Sequence, residues 1–170
     1  ASPFTGEEAE RQARLQPTRS YNKYWQVLSM EALKQGNHLR HTADIAFAHW
    51  LHLAEIGEID SDTIFAMPSS FSNQQLAILL GIAKQSPIQA VGVVDTAVMA
   101  AVAAEIAASA LYIDFQLHQV VVTRLAVNDG VISAEAVVPI PGVGSQNFVN
   151  LMMQQATNSF IDQCPFNPKH

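Results

Sequence analysis

The sequence is poor in cysteine and in charged residues. It has one cysteine among 170 residues, Cys164, and 14% of its residues are charged, against roughly 25% in an average soluble protein. A single thiol excludes an internal disulfide framework and a four-thiolate zinc site. It also favours a reducing compartment. Because no base accompanies Cys164 in the sequence, a structural thiol is the favoured interpretation.

Basic residues are scarce as well. Nine lysines and arginines oppose 15 aspartates and glutamates, which leaves a net charge of -6. A nucleic-acid partner is therefore not expected, since it would require a basic face. Between residues 63 and 161 the charged side chains are Lys84, Asp95, Glu105, Asp114, Arg124, Asp129 and Glu135. We infer that more chain or a partner covers part of this surface; a surface of uncharged Ala, Gln, Ser and Asn is the alternative.

Long hydrophobic runs are missing too. The most apolar stretch, residues 88–113, is interrupted by Asp95 and Glu105, so it contains no charge-free run of the roughly 18–20 residues that span a bilayer. Residues 1–14 are polar and charged and lack the basic-then-apolar pattern of an export signal. The sequence therefore predicts no membrane partner and a cytoplasmic location.

What is present predicts an α/β protein. Helices are expected over residues 6–15, from a cap at Thr42 or Asp44 to Ile56, over 73–84, from 95 to about 107, and over 146–160. Strands are expected over 63–67, 90–94, 111–115, 118–127 and 131–139. Ser72 with Gln75 forms a capping-box pattern, and Ser145 is placed to cap the last helix. The turn from Asn128 to Gly130 predicts a hairpin between the last two strands.

Four segments in this order resemble the nucleotide-binding domain of the seventy-kilodalton heat-shock chaperones, in the actin-like ATPase superfamily. Residues 6–18 resemble a Gly-Asx-Ala-Ala segment that ends in Asn-Pro-Thr, and residues 67–75 resemble a Val-Pro-Ala-Tyr-Phe-Asn turn. Residues 95–103 occupy the place of Glu-Pro-Thr-Ala-Ala-Ala in the connecting helix, and residues 144–152 match a Gly-Gly-Glu-Asp-Phe-Asp helix start. The resemblance implies a ribonuclease-H-like, actin-like fold with a mixed sheet and flanking helices.

The resemblance also implies an incomplete domain. Residues 6–109 correspond to the end of a first lobe and residues 110–163 to the start of a second, so a fragment of a longer protein is expected, with the remainder as its partner. The strand near Ile64 would lack its usual neighbour and leave an edge prone to self-association. We predict that the strands from 111 to 139 pair beside it, within the chain or from a second chain, in one five-stranded mixed sheet.

The family's phosphate loop, Asp-X-Gly-Gly-Gly-Thr, reads DFQLHQ here from Asp114 to Gln119. Its glycines let backbone amides approach the phosphates of ATP, and all are replaced. The resemblance implies ATP and Mg²⁺ as cofactors of the parent domain but not of this chain alone. Asp114 is the candidate catalytic residue, because the family uses that position near the magnesium-bound phosphates. The candidate phosphate-binding residues are Gly142, Gly144 and Ser145, at a helix start.

Three functions follow from the resemblance. The first is a segment of a divergent chaperone-like ATPase that does not hydrolyse ATP alone, the second a non-catalytic actin-like scaffold or interaction module, and the third a small-molecule kinase of the same superfamily. Whether the parent is an enzyme stays open.

Two other features have both a functional and a structural interpretation. His49 and His52, with His38 and His41 before them, have a spacing that can bind a metal, but without a nearby cysteine or carboxylate cluster a polar helix face is favoured and no metal site is predicted. Ser69 and Ser70 lack a Gly-X-Ser-X-Gly motif, so a turn is favoured over a nucleophile.

Overall fold

A computed structural model describes residues 4–13, 15–33, 40–59 and 62–163 of the chain. These residues form a mixed α/β protein, as predicted, with the elements in the predicted order. The helices are α1 (Gly6–Ala13), α2 (Thr42–Ile56), α3 (Asn73–Lys84), α4 (Thr96–Ala103) and α5 (Ser145–Gln163). The strands are β1 (Asp62–Met67), β2 (Gln89–Asp95), β3 (Ala110–Phe115), β4 (Gln119–Asn128) and β5 (Val131–Pro141), and a short 3-10 helix spans Pro17–Arg19.

The chain divides into two compact units, Ala1–Val94 and Asp95–His170. No helix in the described ranges combines the length and the apolar character that crossing a membrane requires.

In the first unit, β1 and β2 form a parallel pair connected by α3. The predicted capping box begins α3: the Ser72 hydroxyl accepts from the Gln75 amide at 3.2 Å, and the Gln75 side chain accepts from the Ser72 amide at 2.9 Å. The apolar core of this unit packs α2 and α3 against the sheet. Its buried members are Leu28, Ala43, Ala46, Trp50, Ala54, Phe65, Leu79, Ile82, Ala83 and Ile88.

The predicted cap of α2 is wrong. His41, and neither Thr42 nor Asp44, is the N-cap residue. The Asp44 carboxylate reaches back from the first turn and accepts from the backbone amides of Arg40 at 2.7 Å and His41 at 3.0 Å. The buried Thr42 hydroxyl instead accepts from the Ser29 amide at 2.8 Å. Thr42 therefore ties the helix to the preceding segment.

In the second unit, β3, β4 and β5 form an antiparallel meander in that order. Asp129 and Gly130 have positive φ angles of 50° and 78°, which a tight turn of this hand requires, so the predicted hairpin is confirmed. Helix α4 covers one face of the sheet. Its small residues Ala97 and Ala101 are buried against Leu125 of β4.

Helix α4 ends earlier than the predicted residue 107. Glu105 follows the helix with a φ of 52°, a left-handed conformation that favours glycine. Its amide donates to the Val102 carbonyl, and the Ile106 amide donates to the Ala101 carbonyl, both at 3.1 Å. These two bonds form a Schellman motif with glutamate in the usual glycine position.

The prediction that the five strands form one mixed sheet within the chain is wrong; pairing with a second chain stays a prediction. β1 pairs with β2, β3 pairs with β4, and the two sheets share no strand. The physical reason is that each sheet has an apolar cover of its own. The crossover helix α3 contributes core residues beside β1, and α4 covers the meander. The meander therefore does not need β1 to bury its inner face.

Candidate functional site

Asp114 lies near the end of β3, on the half-buried face of the meander. Its carboxylate accepts from the side-chain amide of Gln116 at 2.8 Å, and the Gln116 side-chain oxygen accepts from the side-chain amide of Gln119 at 2.7 Å. Tyr112 is two residues earlier on the same face. Burial raises the pKa of the Tyr112 phenol, and the negative charges of Asp114 and Asp95 raise it further.

The segment from Gln116 to Gln119 is a tight turn. The Gln116 amide donates to the Gln119 carbonyl at 3.0 Å, so only Leu117 and His118 lie between these two hydrogen-bonded residues. His118 and Gln119 are buried. The turn is therefore fixed at its base by a backbone bond and by the Asp114–Gln116–Gln119 side-chain series.

The same turn contacts the start of α5. The Ser145 amide donates to the Gln116 carbonyl at 3.0 Å, and the Gln146 amide donates to the Leu117 carbonyl at 2.9 Å. The Gly142 amide donates to the His118 carbonyl at 3.0 Å. The structure thus brings Asp114's loop and the Gly142–Gly144–Ser145 segment together, although they lie about 30 residues apart in the sequence.

Gly144 is the point of closest approach. A Cβ atom built on it would lie far inside van der Waals distance of backbone atoms of Leu117 and His118. Its own amide donates to the side-chain oxygen of Asn147 at 3.0 Å. Gly142 has a φ of 76°, and a Cβ there would meet open space. Glycine is therefore required at 144 by contact and at 142 by backbone conformation.

The predicted role of Ser145 as a cap is wrong. Ser145 is the first residue of α5 rather than its cap. The Asn147 side-chain oxygen accepts from the backbone amide of Gly144, the residue before the helix. As folded, this helix start does not fit the phosphates of ATP. A helix N-terminus binds an anion through free amides, whereas the amides of Gly142, Ser145 and Gln146 donate to carbonyl groups of the chain.

Among the four histidines, His49 contacts aromatic side chains. His49 Nδ1 accepts from the Tyr24 hydroxyl at 3.0 Å and from the Trp25 indole N–H at 3.2 Å, so the ring proton of neutral His49 is on Nε2. Burial lowers the pKa of His49, and nearby His52 lowers it further. Within the described ranges no group of three His, Cys, Asp or Glu side chains is arranged to hold a metal ion. His38 lies outside those ranges.

The remaining candidate residues are the two serines after β1 and the cysteine. Ser69 and Ser70 form a turn after β1, in which the Phe71 amide donates to the Pro68 carbonyl at 3.1 Å. Cys164 lies outside the described residues.

Sequence reasoning missed two features. The first is the role of Gln116 and Gln119, whose only signal is a pair of amide side chains around a two-residue turn. The second is an apolar row on the outer face of β3. Leu111, Ile113 and Phe115 expose 66%, 53% and 65% of their surfaces. The sequence signal for this row is that every second residue from Leu111 to Phe115 is apolar, in a strand whose only charged residue is Asp114.

No known family model matches the chain, and no curated protein matches it at a significant level.

Proposed function

We propose that this chain is the central segment of a divergent, chaperone-like nucleotide-binding domain of the actin-like type, in which the phosphate site is closed from within. In this proposal the segment neither binds nor hydrolyses ATP by itself. It serves as a non-catalytic scaffold that binds the rest of its parent protein or a protein partner. The order of the four resembling segments supports the family assignment.

The main support for the proposal is that the backbone amides at the start of α5 already donate hydrogen bonds to carbonyl groups of the chain. Phosphate binding there would require at least the amides of Ser145 and Gln146, which donate to the carbonyls of Gln116 and Leu117. Backbone hydrogen bonds contribute about 0.5–1.5 kcal/mol each. An entering phosphate would have to break these bonds and also displace the turn packed on Gly144.

A scaffold role is favoured over a catalytic one by the surface of the second unit. Helix α5 spans 19 residues and buries none of them. Its large exposed apolar side chains are Phe148, Val149, Leu151, Met152, Met153 and Phe160. Contiguous apolar surface of this kind is typical of a site that another protein covers.

A second candidate, ATP binding by the assembled parent, is favoured by one observation. Asp114 has a carboxylate at the position that the family uses near magnesium, and this carboxylate accepts a hydrogen bond from the side-chain amide of Gln116. Rearrangement of the turn in the parent would free both the carboxylate and the helix amides.

Isothermal titration of MgATP into the chain tests the proposal, together with Asp114→Asn and the matched control Asp129→Asn in the hairpin turn. We expect no heat of binding for any of the three proteins. Binding by the wild type that Asp114→Asn abolishes and Asp129→Asn preserves would contradict a closed site. Titration of the intact parent then separates the two candidates: binding by the parent alone indicates an ATPase domain, and binding by neither supports the scaffold.

A further inference from the structure

β3 is an edge strand with one open side. It pairs with β4 over its whole length, from Ala110 opposite Leu125 to Phe115 opposite Val120, and no other described strand pairs with it. The Gln116 amide donates across to Gln119. Because the two sides alternate along an antiparallel strand, the peptide groups of Leu111, Ile113 and Phe115 point to the open side.

The opposite edge of the meander is protected. β5, at the opposite edge of the meander, contains Pro139 and Pro141, and the register of its ladder shifts between Arg124 and Leu125 of β4. Prolines and irregularities of this kind block pairing with another chain. β1 and β2 lie in a separate sheet of two strands.

The sequence of β3 is complementary to itself in one antiparallel register. With Ile113 opposite Ile113 of a second copy, Leu111 faces Phe115 and Tyr112 faces Asp114. The residues whose peptide groups point outward then face one another, and about six backbone hydrogen bonds form. Asp114, the only charged residue of the strand, does not face its own copy, so the register has no like-charge pair.

The side chains of the open edge favour the same register. Leu111, Ile113 and Phe115 all lie on the exposed outer face, and each is more than half exposed. Pairing about a two-fold axis perpendicular to the sheet continues this apolar row into the second copy on the same face. The exposed neighbours on this face include Val138 and Ile140 of β5, so the row would become part of a wider apolar surface.

We propose that the occupant of the β3 edge is β3 of a second copy of this chain, with Ile113 on the two-fold axis, so that two meanders form one six-stranded antiparallel sheet. This inference does not depend on nucleotide binding, and the MgATP titration does not test it.

A charge pair at the axis tests the proposal. Analytical ultracentrifugation of the wild type across a concentration series is expected to show a monomer–dimer equilibrium. Ile113→Lys and Ile113→Glu each place like charges opposite one another, so each alone is expected to weaken dimerisation at least tenfold. An equimolar mixture of the two variants is expected to regain a dimer, because the axis then holds an opposite-charge pair.

Two matched controls locate the contact. Val138→Lys alters the same face at the far edge of the meander, and Ile64→Lys alters the exposed position on β1; neither is expected to change the dimerisation constant. Circular dichroism of each variant establishes that it is folded. A wild type that stays monomeric, a mixture that fails to reassociate, or equal loss of the dimer in a control variant would each overturn the proposal.

Discussion

Replacing Gly144 by alanine tests the contact between the β3–β4 turn and helix α5. The added Cβ would overlap backbone atoms of Leu117 and His118, and backbone cannot move aside as a flexible side chain can. The turn must therefore separate from the helix start, which breaks the bonds from the Ser145 and Gln146 amides. Two hydrogen bonds at about 0.5–1.5 kcal/mol each and an overpacking cost of about 1–3 kcal/mol predict a loss of about 2–6 kcal/mol in the free energy of unfolding of the second unit.

Urea unfolding followed by circular dichroism measures this loss, and amide hydrogen exchange at Ser145 and Gln146 shows where it arises. Gly81→Ala is the matched control, because a Cβ at Gly81 in α3 meets no atom within 4 Å. That change is expected to stabilise the first unit by up to about 1 kcal/mol through helix propensity. An unchanged urea midpoint for Gly144→Ala, with unchanged protection of both amides, would refute the reasoning.

Three further predictions concern stability. Leu79→Ala removes a side chain that is 1% exposed and is expected to cost about 2–5 kcal/mol; a smaller loss in urea unfolding would contradict close packing there. Glu105→Gly relieves a left-handed φ of 52° and is expected to raise the thermal midpoint, with a gain of about 0.5–1 kcal/mol. Burial lowers the pKa of the His49 side chain below its usual value of 6.5, so the unfolded chain binds a proton at a higher pH than the folded chain does. The contribution of neutral His49 to the free energy of unfolding is therefore complete above pH 6.5 and declines as the pH falls from 6.5 towards the folded pKa. Urea midpoints from pH 8 to 5 measure this decline, and His49→Gln, which keeps an acceptor for Tyr24 and Trp25, is expected to flatten it.

The best-predicted parts of the fold are those whose signals are local. Helix α3 begins and ends at the predicted residues, because Ser72 and Gln75 satisfy each other's amides within one turn. The β4–β5 hairpin depends on Asp129 and Gly130, which accept the positive φ angles that the turn needs. In both cases the residues that determine the structure are adjacent in the sequence.

Errors arose where a distant residue or an unusual conformation decides the outcome. The Thr42 hydroxyl accepts a hydrogen bond from Ser29, 13 positions earlier, and the N-cap residue of α2 is His41 instead. Helix α4 stops at a left-handed Glu105, and a glutamate gives no signal of a helix end. The predicted five-stranded sheet does not form within the chain, because α3 packs on one sheet and α4 packs on the other, so that each sheet buries its apolar residues separately.

The candidate site was only partly predictable. The resemblance indicates Asp114, and the two glycines before a helix, Gly142 and Gly144, indicate a helix start whose amides could bind a phosphate. That those amides bind the turn after Asp114 depends on a contact across about 30 residues, which no local pattern encodes. The glycine at 144, where a side chain would not fit, is the sign of this contact in the sequence. A glycine at this position is equally compatible with a bound phosphate.

The joint between the β3–β4 turn and α5 has a mechanical consequence. A 19-residue helix is about 28 Å long, and α5 is held at its first turn by the carbonyls of Gln116 and Leu117. A tilt of about 10° at Ser145 moves the far end, near Gln163, by about 5 Å on this length. A molecule that binds the distal half of α5 and tilts the helix would therefore act, through these two hydrogen bonds, on the turn that follows Asp114.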